Sequence, residues 1–281
     1  MTAVRCVEKV PRLNQSQHRA PRRGIWFLSI ASIPLLALLV VPLIVLLLHL
    51  SPGMLRHYLG DHATVQAIFL SLITTTTTLA LAICLGTPLA YLLARGRIRG
   101  KGLIEVLVDM PTVLPPAVAG IALLLTLGRR GVLGIYLQRM GIEIDFTAVA
   151  VVIAQTFVAA PYFIKSATVG LASVSDELLE VAALDGASPA QTFGFVTFPL
   201  ALRGLAGGAA LCWSRALGEF GATIIFAGNY PGRTQTMPLA IYMGFESGNL
   251  SESLTLAGIL LIVSFSLLLA IRAALRPVAT D

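Results

Sequence analysis

Charge is scarce in this sequence. Asp, Glu, Lys and Arg make up 12% of its 281 residues, against about 25% in soluble globular chains. Polar helix faces are scarce as well: the run IWFLSIASIPLLALLVVPLIVLLLHL at 25–50 contains no Asp, Glu, Lys or Arg. A soluble bundle needs a polar face on its helices, so that class is excluded. Cysteine is limited to Cys6, Cys84 and Cys212, one near the N-terminus and two inside apolar runs, which builds neither a disulfide framework nor a metal site. The four histidines, His18, His49, His57 and His62, have no HExxH-type spacing, so a metal-dependent membrane enzyme has no motif to stand on. A phosphate-binding loop is also missing. The nearest approach, GRIRGKG at 96–102, has the wrong spacing before Lys101 and no Ser or Thr after it. Any nucleotide chemistry must come from another polypeptide. The net charge of +6 lies on no basic stripe of a soluble domain, so nucleic acid is not the expected partner.

What is present is apolar length. Hydrophobic residues make up 56% of the chain and the mean hydropathy is +0.85, which reads as an all-α polytopic membrane protein. About 20 apolar residues cross the hydrocarbon layer. Six spans of that kind fall at about 25–50, 64–94, 104–127, 146–171, 198–226 and 253–275. The first is far longer than a signal-peptide core and no small-residue cleavage site follows it closely, so it reads as a retained helix. The expected organisation is a basic tail at 1–24, a first helix at 25–50 and a membrane domain at 64–275 with five further helices. Basic residues set the direction. Arg5, Lys9, Arg12, Arg19, Arg22 and Arg23 precede the first span, Arg95, Arg97, Arg99 and Lys101 follow the second, and Arg272 and Arg276 end the chain. These clusters outweigh Arg56, Arg129, Arg130, Arg139 and Arg233 in the alternate loops, so both termini are expected in the cytoplasm. The loop between spans four and five then lies on the same side.

That loop, ELLEVAALDGASPAQTFGFVTFP at 177–199, is the least apolar long connection. Ser175 stands where a helix cap belongs, with Asp176 and Glu177 in the first turn, where carboxylates suit the helix dipole. One short helix is expected over about 176–185, with Leu178, Val181 and Ala182 on one side and Leu179 and Ala183 beside them. Gly186 occupies the C-terminal cap position, where positive φ is needed. Ser188-Pro189-Ala190-Gln191 is a capping box with proline at the first helical position, so a second helix is expected to run toward Pro199. Such an ordered amphipathic segment either docks in a groove on a partner or lies on the lipid surface. Its acidic residues suit an anionic cytoplasmic leaflet poorly, which favours a protein partner.

Inside the spans, PTVLPP at 111–116 breaks regular helix, and broken backbone in a bilayer belongs in protein or beside water. A kink over Pro111–Pro116 is expected, either lining a route for solute or purely structural. Span five carries small residues four apart at Ala206, Ala210, Ser214, Gly218 and Ala222, with Gly204 and Gly208 beside them. This face admits a close neighbour, either within the chain or in a second copy. Arg215 and Glu219 lie one turn apart, in the outer half of the membrane when counted at about 1.5 Å per residue from Pro199. They are placed to pair, as a structural ion pair or as an anion gate. Pro115, Pro116, Arg215, Gly218 and Glu219 are therefore the candidates for a translocation path or gate. Five consecutive threonines, Thr74–Thr78, wrap around the helix instead of lining one face, and most can bond back to a preceding carbonyl.

Glu180-Val181-Ala182, Gly186, Val196, Phe198 and Pro199 keep the spacing of E-A-A, three residues, G, nine residues, I, one residue, L-P. In this the chain resembles the EAA loop of ABC importer permeases, with valine for the first alanine, valine for isoleucine and phenylalanine for leucine. VLPPAVAGIALLLTLGRRGVLG at 113–134 and SRALGEFGATIIFAGNYPGRTQTMPLAIY at 214–242 are similar to the molybdate branch of that family; sulfate permeases resemble it around the LP and GEFGA stretches. The resemblance covers about residues 64–275. It implies a type I importer fold in a bacterial cell membrane. It also implies a homodimer of permeases, two cytoplasmic ATPase subunits holding ATP and Mg, and an external binding protein that delivers the oxyanion, with no cofactor on this chain. It makes Glu180, Val181, Ala182, Ala183, Gly186, Ala187 and Pro199 the ATPase-coupling loop. The implied work is alternating access without a covalent step, for molybdate, tungstate or sulfate. The competing class is an ion-coupled secondary transporter, which would favour ionisable residues in several spans and an inverted repeat.

Overall fold

A computed structural model describes residues 22–96 and 98–274. The tail at 1–24 lies outside the described residues except for its last three, which already belong to a helix, and Arg97 and Arg276 lie outside them too. The chain divides into two compact units, one ending at Val45 and one starting at Leu46. Helix α1 (Arg22–Leu48) runs unbroken through Pro34 and Pro42.

In the larger unit, α2 (Pro52–Leu59) is a short helix capped by Ser51. Asp61 caps α3 (His62–Arg95), accepting the Thr64 amide at 2.9 Å. Then come α4 (Lys101–Val113), α5 (Pro116–Leu127), α6 (Gly134–Arg139) and α7 (Ala148–Ala172), the last capped by Thr147. The loop helices α8 (Asp176–Leu184) and α9 (Pro189–Thr192) follow. A π turn (Phe193–Thr197) leads into α10 (Phe198–Leu217), α11 (Gly221–Phe226), α12 (Met237–Glu246) and α13 (Leu250–Ala274). No strand occurs among the described residues. That is the expected solution for a bilayer, where a helix satisfies its own backbone. Five helical segments are long and apolar enough to cross a membrane, or six when α4 and α5 count as one broken span.

The centre of the bundle is α3, α7 and α10. Ala90, Phe163, Ala167, Leu171, Ala201 and Cys212 form its main core. A second cluster joins α5, α7 and α11 through Ala119, Ala154, Ala222 and Phe226. A third joins α3, α10, α12 and α13 through Ala67, Trp213, Met237 and Leu256. The α7–α10 seam is backbone against backbone. A Cβ on Gly204 would lie 2.5 Å from the Gly170 Cα, and one on Gly208 would meet the Phe163 carbonyl at 3.0 Å. The small-residue pair of span five is thus used inside the chain. Among the threonines, Thr75 bonds back to the Ser71 carbonyl at 2.7 Å, whereas Thr78 crosses to Gln155 on α7 at 3.2 Å.

Two spans differ from the sequence expectation. Span three is bent by 112° between α4 and α5. The break is confined to Leu114 and Pro115, both with extended ψ (136° and 133°), because each precedes a proline and is pushed out of the α region. Pro111 stays inside α4 and breaks nothing. Span five begins earlier than expected and ends earlier. It runs as one helical segment over Pro189–Leu217, then stops at Gly218, and α11 restarts at Gly221. Pro199 is not a boundary. The preceding π turn, in which the Phe198 amide bonds the Phe193 carbonyl, absorbs the donor that Pro199 lacks.

Candidate functional site

The loop between α7 and α10 is ordered by its own backbone. At the end of α8, Gly186 takes φ +81°, the Ala187 amide bonds the Ala182 carbonyl at 3.0 Å, and the Gly186 amide bonds the Ala183 carbonyl at 3.1 Å. This is a Schellman closure, and it satisfies two carbonyls that a helix end leaves free. Two residues on, Ser188 and Gln191 complete the capping box: the Ser188 amide donates to Gln191 Oε1 at 2.8 Å and the Gln191 amide to Ser188 Oγ at 3.3 Å. Ser175 holds the cap position of α8, but its side chain makes no capping bond.

The stretch from α7 into α8 is held instead by Arg95, which bonds carbonyls and leaves the first amides of α8 without a side-chain cap. Arg95 ends α3, donates to the Leu171 carbonyl at 2.9 Å and to the Val174 carbonyl, and ion-pairs with Asp176 at the first position of α8. One guanidinium therefore ties the end of α3 to the end of α7 and the start of the loop helix. Asp176 is largely exposed, so the holding power lies in the two carbonyls, which water reaches less. From sequence, Arg95 counted only toward the basic loop. Its fixed fork geometry, at the last turn of a long span, was the available signal.

The loop helix turns Leu179 into the core and leaves Ala182 half-buried. Leu178, Val181 and Leu184 form an open apolar edge, with Leu184 87% exposed. Of Leu178, Val181 and Ala182, which the spacing puts on one side, the first two are exposed and Ala182 is half-buried, and Leu184 extends the exposed edge. Glu180, Ala183, Gly186 and Pro199 are exposed and Ala187 is half-buried. Behind the loop, Tyr91 of α3 meets Phe193 edge-on at 5.3 Å.

The second group of candidates gathers where two breaks meet. A Cβ on Gly221 would lie 2.8 Å from the Pro116 Cβ, and one on Gly120 2.9 Å from the Ala222 carbonyl. The α4–α5 bend therefore seats against the gap between α10 and α11. In that gap Glu219 is 1% exposed. Its Oε1 accepts the Ala222 amide at 2.8 Å and so caps α11. Its Oε2 lies 2.7 Å from Arg215 Nη1, in charge contact without hydrogen-bond alignment. Pro115, Pro116, Arg215, Gly218 and Glu219 thus share one neighbourhood, with Glu219 held from two sides.

At the end of the bundle away from the loop, GRRGVLG at 128–134 is a tight return. A Cβ on Gly134 would fall 1.8 Å from the Gly128 carbonyl oxygen, so only glycine fits. Arg129 reaches Glu143 at 3.1 Å and the buried Asp145 at 3.3 Å, and pins the following loop. A charge pair at the open α4–α7 junction has no counterpart in the sequence reading: Lys165 of α7 lies 3.0 Å from Asp109 of α4. A lysine within the apolar run YFIKSA was the visible signal.

Known proteins resemble this chain in sequence, and another resembles it in fold. The chain is 36% identical over 252 residues to the probable transport system permease protein NifC of Clostridium pasteurianum, covering 89% of this chain and 87% of that one. It is 40% identical over 215 residues to the molybdenum transport system permease protein ModB of Mycobacterium tuberculosis, covering 76% and 81%. It is 31% identical over 266 residues to the probable sulfate transport system permease protein cysT of Chlorokybus atmophyticus, covering 92% of each. A crystal structure of a bacterial ABC transporter involved in the import of the polysaccharide alginate superposes with a TM-score of 0.71, over 92% of this chain and 98% of that one, at 15% identity. That likeness is one of fold. Residues 83–277 match the family described as binding-protein-dependent transport system inner membrane component. The chain belongs to that family, as a membrane-embedded transport permease.

Proposed function

We propose that this chain is the permease subunit of an ATP-driven importer for a tetrahedral oxyanion, with molybdate the first candidate. It works as a homodimer with two cytoplasmic ATPase subunits and takes its substrate from an external binding protein. Both termini and the α8 loop face the cytoplasm. The observation that carries this reading is the loop itself. It combines the EAA spacing, a Schellman corner at Gly186, an Arg95 clamp and an open edge of Leu178, Val181 and Leu184.

The mechanism follows from how this loop is held. An open apolar edge gains free energy by entering a groove. Because Arg95 fixes the Leu171–Val174 turn just before α8 to α3, and Leu179 packs α8 against the core, displacement of the docked helix is passed to two central spans and is not lost in a slack linker. ATP and Mg stay on the partner, and this chain makes no covalent bond. At the far end of span five, Arg215 and Glu219 set the gap beside the α4–α5 bend, a place where the path can open or close. Selection of molybdate over tungstate or sulfate falls mainly to the binding protein. The identity to molybdenum permeases supports molybdate, and the similarity to a sulfate permease keeps sulfate as the second reading.

The test is co-purification of the chain with its ATPase and uptake into vesicles of molybdate, tungstate and sulfate in competition. ATP-dependent molybdate uptake is expected. Uptake that persists without ATP and follows an ion gradient would return the chain to the secondary-transporter class. For the gap, Arg215→Ala in the intact complex checks the path assignment; unchanged uptake in a folded variant removes Arg215 from it.

A further inference from the structure

Lys165 lies seven residues before the end of α7, about 10 Å along the helix from the loop side. A charged side chain at that level of a span must face protein or water. The core face of α7 is closed to it: Phe163, Ile164 and Ala167 are buried. Lys165 instead borders an open recess of about 230 Å³ formed by α3, α4 and α7, where it meets Asp109 at 3.0 Å, with Glu105, Thr168 and four aliphatic side chains also on the walls. The recess has room for several waters or one small four-oxygen anion. Both partners remain open, Lys165 56% and Asp109 41% exposed, so the pair is held weakly and can exchange. Lys101 stands 3.9 Å from Glu105 and balances it, which leaves Lys165 and Asp109 as a matched pair of their own.

We propose that Lys165 is an anion contact on the cytoplasmic half of the transport route, with Asp109 as its resting counter-ion. This rests on the oxyanion reading above. An arriving dianion displaces the Asp109 carboxylate from the ammonium. The carboxylate stays beside the anion and repels it, so the site accepts the anion without retaining it, as conduction requires. Asp109 also ties α4 to α7 while no anion is present. Because α4 is jointed to α5 at Leu114–Pro115, its position controls how much of Lys165 is free.

The experiment uses the assembled transporter in vesicles, with molybdate, tungstate and sulfate uptake measured per complex beside basal ATP hydrolysis. Lys165→Gln is expected to lower molybdate uptake about tenfold, the loss of one charged hydrogen bond, with complex yield and basal hydrolysis retained. Lys165→Arg is expected to restore most of it, and Asp109→Asn to change it far less than Lys165→Gln. Equal losses in Lys165→Gln and Asp109→Asn would make the pair a strut and overturn the anion contact. Normal uptake by Lys165→Gln, with wild-type uptake established, overturns the contact alone. A wild-type complex that moves none of the three anions overturns the oxyanion reading and the contact together. A second measurement does not depend on turnover. In a background with Cys6, Cys84 and Cys212 replaced, Lys165→Cys should react with a membrane-impermeant sulfonate thiol reagent, more slowly when molybdate is present. Failure to react places the side chain against lipid or protein and overturns the proposal.

Discussion

Glycine governs both the α8 loop and the α7–α10 seam, for opposite reasons. Around Gly186 there is nothing within 4 Å of a would-be Cβ, yet φ is +81°. At Gly204 the backbone is ordinary helix, but a Cβ would come within 2.5 Å of the Gly170 backbone. The loop needs conformational freedom; the seam needs space. Strain at Gly186 is local and can be borne by a folded protein. A clash at Gly204 is between two backbones that cannot rotate out of the way, so it must separate two central spans. The seam is therefore a stability element, and on the proposed reading the loop carries communication.

The sharpest way to break that assignment is Gly204→Val. Overpacking this contact is expected to destabilise by about 3 kcal/mol or more and to leave little folded protein, read as lost yield and a lower Tm in detergent. A folded, normally melting variant would mean the seam is looser than described. Next is Arg95→Ala, which strips the Leu171 and Val174 carbonyls of their partner. A loss of about 1–3 kcal/mol is expected, with coupling of ATP hydrolysis to uptake impaired beyond what stability explains. Gly186→Ala should cost about 1–2 kcal/mol, the price of left-handed backbone for a residue with a Cβ, and should weaken coupling while the spans still assemble. The smallest stability effect is expected from Leu184→Glu, within about 0.5 kcal/mol, because the side chain is open. That variant should nonetheless lose association with the ATPase, measured by co-purification. If Leu184→Glu were to unfold the chain while Gly204→Val did not, the two regions would have their roles reversed.

Parts of this architecture were readable before any coordinates. The capping box at Ser188, the αL corner at Gly186 and the helix of α8 are local: each is decided by residues within four positions of one another. The apolar runs that became α1, α3, α7 and α13 are similarly self-announcing. The rest is decided by partners distant along the chain. Pro199 looked like a helix boundary because its missing donor is visible and the π turn that absorbs it is not. Span five looked continuous to 226 because nothing near Gly218 announces that Pro116, about a hundred residues earlier, seats against the gap. Arg95 read as one more basic loop residue because its carbonyl partners lie in α7. Leu184 joins the exposed edge because the docking of Leu179 into the core sets how α8 is rotated.

The amino-acid sequence by itself determined that this chain is membrane-embedded, where most of its long apolar helices run, and that the α8 loop is an ordered helix, corner and helix carrying an EAA spacing. Those features follow from hydropathy and from backbone chemistry within a few residues. Only the tertiary structure decided which glycines face a backbone and which face open space, and that Arg95 clamps the loop. It also decided that Glu219 is pinned from two sides, and that Lys165 and Asp109 share an open recess. Each of these depends on atoms brought together from separate helices, and the positions of those helices relative to one another are set by packing.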